Sequence, residues 1–187
     1  MTWEQYKDFP RELTVSLVLA LVAIFLIVLI FSGSFCASGL IFFNMGLIDL
    51  NLLALIWYWG LELNFITMIN LILAIGLAVD YSAHIAHAYN CSEAPEDEPS
   101  NIKRRKARVR LAFRKIGSSV FHGAFSTFLA IVTISASSSY IFRAFFKQWF
   151  GIIVFGMLHA FFLLPVLLSL IGPLKRSDKI QDKTNKV

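Results

Sequence analysis

The sequence predicts an all-α protein, a multi-pass membrane bundle of five transmembrane helices. Three observations predict it. Of 187 residues, 57% are hydrophobic and 16% charged, whereas soluble domains average roughly 45–50% apolar; the mean hydropathy is +0.69. Five stretches are apolar over the roughly 20 residues a helix needs to cross a bilayer. The charged residues flank those stretches rather than forming a domain of their own. The net charge of +5 therefore reads more simply as membrane topology than as nucleic-acid binding, and no nucleic-acid partner is expected. Two cysteines, Cys36 and Cys91, are too few for a disulfide framework.

The bundle is expected over 13–173. Its first helix is "LTVSLVLALVAIFLIVLIF" (13–31), longer than the apolar core of a signal peptide. The second covers 36–59 and ends in Trp57, Tyr58 and Trp59, an interfacial aromatic belt. The third covers 64–89, the fourth 116–138 and the fifth 149–171. Pro165 should kink the fifth and "IGP" (171–173) should end it. "YIFRAFFKQWF" (140–150) reads as an interfacial segment with Arg143 and Lys147 snorkelling.

Charge orients the bundle. With five spans, 33–38, 90–117 and 173–187 share one side and carry 13 Lys and Arg, while 1–12, 60–63 and 139–148 carry 4. The positive-inside rule places the loop 90–115 and the tail 174–187 in the cytosol, and 1–12 outside the cell or in a lumen. Cys36 and Cys91 are then cytosolic, reduced thiols. An outside N-terminus on an odd number of spans suggests a further segment upstream. The loop turns from acidic "EAPEDEP" (93–99) to basic "IKRRKARVRLAFRKIG" (102–117). The basic part is expected to be an amphipathic elbow on the inner leaflet; recognition of anionic headgroups or a partner is the other reading. The tail is expected to be disordered.

The third helix carries the costly residues. At about 100° per residue, Gly76, Asp80, His84 and His87 fall on one stripe. Ala74, Ala78, Ser82 and Ala86 form a second, small-residue face suited to close packing. A central Asp costs roughly 2.5–3.5 kcal/mol on insertion scales, so intramembrane ionisable groups point first to function. The functional reading is a proton or cation coupling site, with Asp80 titrating and the histidines relaying. The structural reading is a hydrogen bond tying helix three to a neighbour.

Asp49, near the middle of helix two, suits either a second carboxylate or an interhelical bond. Ser118, His122, Ser126, Thr133 and Ser137 fall along one side of helix four, as interhelical glue or a secondary polar path. His159 reads as a packed, hydrogen-bonded histidine. Asp80, His84 and His87 have the spacing of a carboxylate–bis-imidazole site, but four histidines in all are too few for a membrane di-iron enzyme. The chain also lacks a nucleophile elbow, a phosphate loop and an HExxH motif. No enzyme, cofactor or resident metal is expected.

"WGLELNFITMINLILAIGLAVDYSAHIAHAY" (59–89) resembles the tenth helix, and its entry, of the Patched, Dispatched and Niemann–Pick type C family, within the resistance–nodulation–division superfamily. "GSSVFHGAFSTF" and "FGMLHAFFLLPVLLSLIGP" resemble that family's eleventh and twelfth helices, so the chain resembles helices eight to twelve. The resemblance implies the orientation that the Lys and Arg pattern gives independently. It maps the family's GxxxD/E motif onto Gly76 and Asp80, with His84 in the matching downstream position. It implies the C-terminal part of a proton- or cation-coupled sterol or lipid transporter, with membrane lipid, sterol included, as partner. Gly76, Ala78 and Ser82 would serve packing at the coupling site. The alternative is a non-transporting regulatory or partner-binding bundle. The family's first half, sterol-sensing segment and extracellular domains have no counterpart here. An N-terminal half or another copy of the fold is therefore expected as partner.

Overall fold

The computed structural model describes residues 2–32, 34–93 and 100–174. Among them α1 spans Thr2–Ser32, α2 Phe35–Tyr58 and α3 Phe65–Asn90. α4 (Asn101–Ala112) passes through a π turn, Phe113–Gly117, into α5 (Ser118–Val132), which closes in a 3-10 turn, Thr133–Ala136. α6 (Tyr140–Leu158) passes through a second π turn, His159–Leu163, into α7 (Leu164–Ile171). No strand occurs among the described residues. Pro10–Ile30, Phe35–Tyr58, Phe65–Asn90, Asn101–Ala136 and Tyr140–Ile171 are each long and apolar enough to cross a membrane. The chain is an integral, multi-pass, all-α membrane bundle.

Several boundaries differ from the expected ones. The fourth span is the second part of a helical stretch that begins at Asn101, because Lys, Arg and Ala are good helix formers and no proline interrupts them. The fifth helix begins at Tyr140, so "YIFRAFFKQWF" lies within it. The irregularity expected at Pro165 takes the form of the π turn just before it. Proline has no N–H to return to the Phe161 carbonyl, so the preceding turn widens. Residues 94–99 of the acidic run and the tail beyond Leu174 lie outside the described residues.

Local signals set the α2–α3 corner. Gly60, at φ 59°, takes the left-handed conformation that ends α2, and Leu61 N–H donates to Ile56 O at 3.0 Å, closing a Schellman motif. Four residues later Asn64 caps α3. Its side chain accepts from Ile66 N and Thr67 N, while Thr67 Oγ1 accepts from Asn64 N at 2.8 Å, a reciprocal capping box.

α3 is the central helix, packed against α1, α2 and α6. One close crossing is at Ala78 and Gly156, where a Cβ on Gly156 would lie 3.2 Å from the Tyr81 ring and 3.9 Å from Ala78 Cα. Small residues let these backbones approach. Two buried amide contacts knit the bundle further. Asn70 Nδ2 donates to Gln148 Oε1 at 2.6 Å, and Asn44 Nδ2 donates to Ser82 Oγ at 3.1 Å.

The basic helix α4 is tied into the bundle by two of its arginines. Arg108, only 4% exposed, donates to Ser92 O and Pro173 O, each at 2.7 Å, and to Asn90 O at 3.2 Å. Its guanidinium lies 4.6 Å from the Tyr89 ring centroid, within cation–π reach. Arg105 donates to Gly172 O and Leu170 O. Both arginines thus satisfy carbonyls that the ends of α3 and α7 leave without helical partners.

Candidate functional site

The two faces expected of helix three are present, and they point in opposite directions. Ala78 and Ser82 are fully buried, Ala78 against α6 and Ser82 on Asn44 of α2. Gly76, Asp80, His84 and His87 all lie on the exposed side, in one line with the exposed Phe65, Ile69 and Leu73. A Cβ on Gly76 would meet nothing within 4 Å, so Gly76 admits no neighbour among the described residues. Ala78 and Ser82 perform the packing.

Asp80 and His84 open into a groove of about 440 Å³ between α3 and α5. Ser119, Gly123 and Thr127 line its other wall, with Leu77, Tyr81, Ile116 and Val120 completing it. Neither Asp80 nor His84 makes a hydrogen bond to a described residue, while the Tyr81 hydroxyl lies beside the Thr127 side chain. The arrangement is a carboxylate and an imidazole one turn apart, with two hydroxyls opposite and space between. Such a site can bind and release a proton or small cation without breaking protein hydrogen bonds.

His87 stands outside the groove. It lies beyond His84 toward the end of α3, with Nε2 3.6 Å from Cys91 Sγ. Asp80, His84 and His87 do not gather as a three-ligand metal cluster among the described residues. Asp49 is also elsewhere: it is buried in α2 with neither carboxylate oxygen hydrogen-bonded.

His122 and Ser126 are exposed and miss the groove by one residue. His122 Nδ1 lies 2.6 Å from Ser118 O; because a carbonyl only accepts, Nδ1 carries the proton. Thr133 turns its hydroxyl back to Ala130 O at 2.7 Å within the 3-10 turn. His159 is half-buried, with Nδ1 2.9 Å from Phe155 O and Nε2 3.4 Å from Asn51 Nδ2. Its tautomer is fixed in the same way: Nδ1–H donates, and Nε2 accepts from Asn51.

Sequence reasoning missed Ser119, Gly123 and Thr127, because angles counted along α5 do not tell which of its faces meets α3. It also missed the inward turn of Arg105 and Arg108. A signal for that pair existed, since "IGP" ends α7 with unpaired carbonyls and the basic run is the nearest source of donors in number.

The profile of the AcrB/AcrD/AcrF family matches residues 11–185. The chain belongs to this family. Within it the curated relatives lie on the Patched and Niemann–Pick type C branch of the resistance–nodulation–division superfamily. The chain is 36% identical over 174 residues to the "NPC intracellular cholesterol transporter 1 homolog 1b" of Drosophila melanogaster. It is 32% identical to the "NPC intracellular cholesterol transporter 1" of Sus scrofa, and 29% identical over 172 residues to "Protein patched homolog 1" of Danio rerio. Each match covers 91% of this chain and 13% of the relative, so the chain spans about an eighth of their length. In this AcrB/AcrD/AcrF member, the matched region takes in α2 to α7 whole, the groove included.

Proposed function

We propose that this bundle is the ion-coupling part of a transporter for a sterol or another lipid-like substrate, driven by a proton or cation gradient. The observation that carries the reading is Asp80, a carboxylate within a membrane-spanning helix, free of hydrogen bonds and open, with His84, to a groove whose mainly apolar wall also carries Ser119 and Thr127. Asp80 is unpaired and, unlike the enclosed Asp49, opens into space that a proton or small cation can enter, which gives a reason to keep it at such an insertion cost. Two relatives bear the names of cholesterol transporters, which supports the substrate class. Asp80 carries the coupling charge, His84 tunes it, and His87 relays charge toward the cytosolic end of α3. The N-terminal end of α1 faces the outside or a lumen.

The bare stripe from Phe65 to His87 is the face on which a complementary helical half, or a second copy of the fold, completes the site. The test is flux of a fluorescent sterol in proteoliposomes holding this chain together with such a half, with and without an imposed proton or Na⁺ gradient. Flux should rise with one gradient and should be absent for the chain alone. Equal flux with and without either gradient contradicts the reading.

A further inference from the structure

On an unbroken helix, Ser118, His122 and Ser126 share one stripe. The groove is lined instead by Ser119, Gly123 and Thr127. The two sets differ by one residue, and one residue is what a π turn inserts into an α-helix. That turn, Phe113–Gly117, immediately precedes α5. Upstream, α4 is fixed by Arg105 and Arg108 to the ends of α3 and α7, so the shift falls on α5. Downstream, the 3-10 turn Thr133–Ala136 overwinds the chain. At 3.0 rather than 3.6 residues per turn, four residues gain about 80°, close to the roughly 100° taken up by the inserted residue. α5 is a helix held out of phase between two compensating irregularities.

We propose that α5 has two registers, exchanged when both irregularities are absorbed. In the observed one, Ser119, Gly123 and Thr127 face Asp80 and His84. In the other, α5 turns by about 100° and Ser118, His122 and Ser126 enter the groove. His122 thereby becomes an alternate member of the site, and three polar side chains come within reach of whatever charge Asp80 carries. Three features favour the exchange. Only Val120, Ala124 and Ile131 of α5 are buried, so the contacts to be exchanged on turning are few, chiefly the Phe121–Phe161 and Phe128–Phe150 ring pairs with the fifth span. The residues that would replace them, Ser119, Gly123 and Ala130, are smaller and leave no clash. Asp80 and His84 have no hydrogen bond in the observed register. The consequence for transport rests on the coupling role proposed above, but the two registers do not.

Cross-linking tests the registers without measuring transport. In a Cys36→Ser, Cys91→Ser background of the full chain in membranes, Leu77→Cys is combined with Thr127→Cys or with Ser126→Cys, and treated with a short bifunctional thiol reagent. Both pairs should link. Deleting Lys115 removes the inserted residue, converts the π turn to α, and keeps every later residue in the observed register. The Thr127 pair should then persist and the Ser126 pair be lost. Deleting Arg114 has the same geometric effect and serves if the first deletion does not accumulate. Absence of the Ser126 link in the undeleted chain overturns the proposal, as does persistence of both links after deletion. Loss of gradient-driven flux in Asp80 variants bears on the coupling role alone.

Discussion

Arg108 and Asp80 are both charged residues of a membrane protein, and their surroundings give them opposite roles. Arg108 is buried and spends three donors on the carbonyls of Asn90, Ser92 and Pro173. Arg108→Ala leaves those acceptors unpaired and should cost about 3 kcal/mol, read as a lowered melting temperature in detergent, with Arg110→Ala as an exposed control. Asp49 differs from both, because its buried oxygens meet no donor. Asp49→Leu should leave the melting temperature unchanged or raise it, since removing an unpaired buried polar group relieves a cost. A clear drop would mean that Asp49 does hold a partner. Sequence favoured Asp80 over Asp49 only through its neighbours Gly76, His84 and His87. Each is one carboxylate in an apolar run, and only the packing of neighbouring helices decides which is enclosed and which lines a groove.

At the scale of elements, the five apolar runs were legible because hydrocarbon leaves few alternatives to a helix of sufficient length. The small-residue face of α3 was legible for the same reason, since Ala78 and Ser82 mark a close crossing. Phase was not. The π turn at His159–Leu163 goes with Pro165, a local signal, but that at Phe113–Gly117 adjoins the arginine clamp, whose partners lie in other helices and in no local window. The polar stripe of Ser118, His122 and Ser126 was legible, but not which side of α5 faces the groove. The α3–α6 crossing yields a prediction of its own. Gly156→Val would drive methyl groups into Tyr81 and the Ala78 backbone, and should cost about 1–3 kcal/mol, measured as reduced thermal stability. Gly123→Ala, facing open space, should cost far less.

For the whole molecule, the asymmetry of Lys and Arg predicts an orientation, and the open side of α3 a partner. Cys91, at the end of α3 beside the basic segment, should react with an impermeant thiol reagent only after the cells are permeabilised. Labelling of intact cells would invert the bundle. The central claim is that Asp80 is kept for its changing charge. The most direct measurement is gradient-dependent transport normalised to surface protein for Asp80→Asn, in the assembled protein. Asn retains the size and much of the hydrogen bonding of Asp but cannot titrate or neutralise a cation. Abundance should stay near wild type while gradient-driven transport is lost; His84→Ala should show a smaller loss. Wild-type transport by Asp80→Asn would contradict the account, and would leave Asp80 as a structural residue.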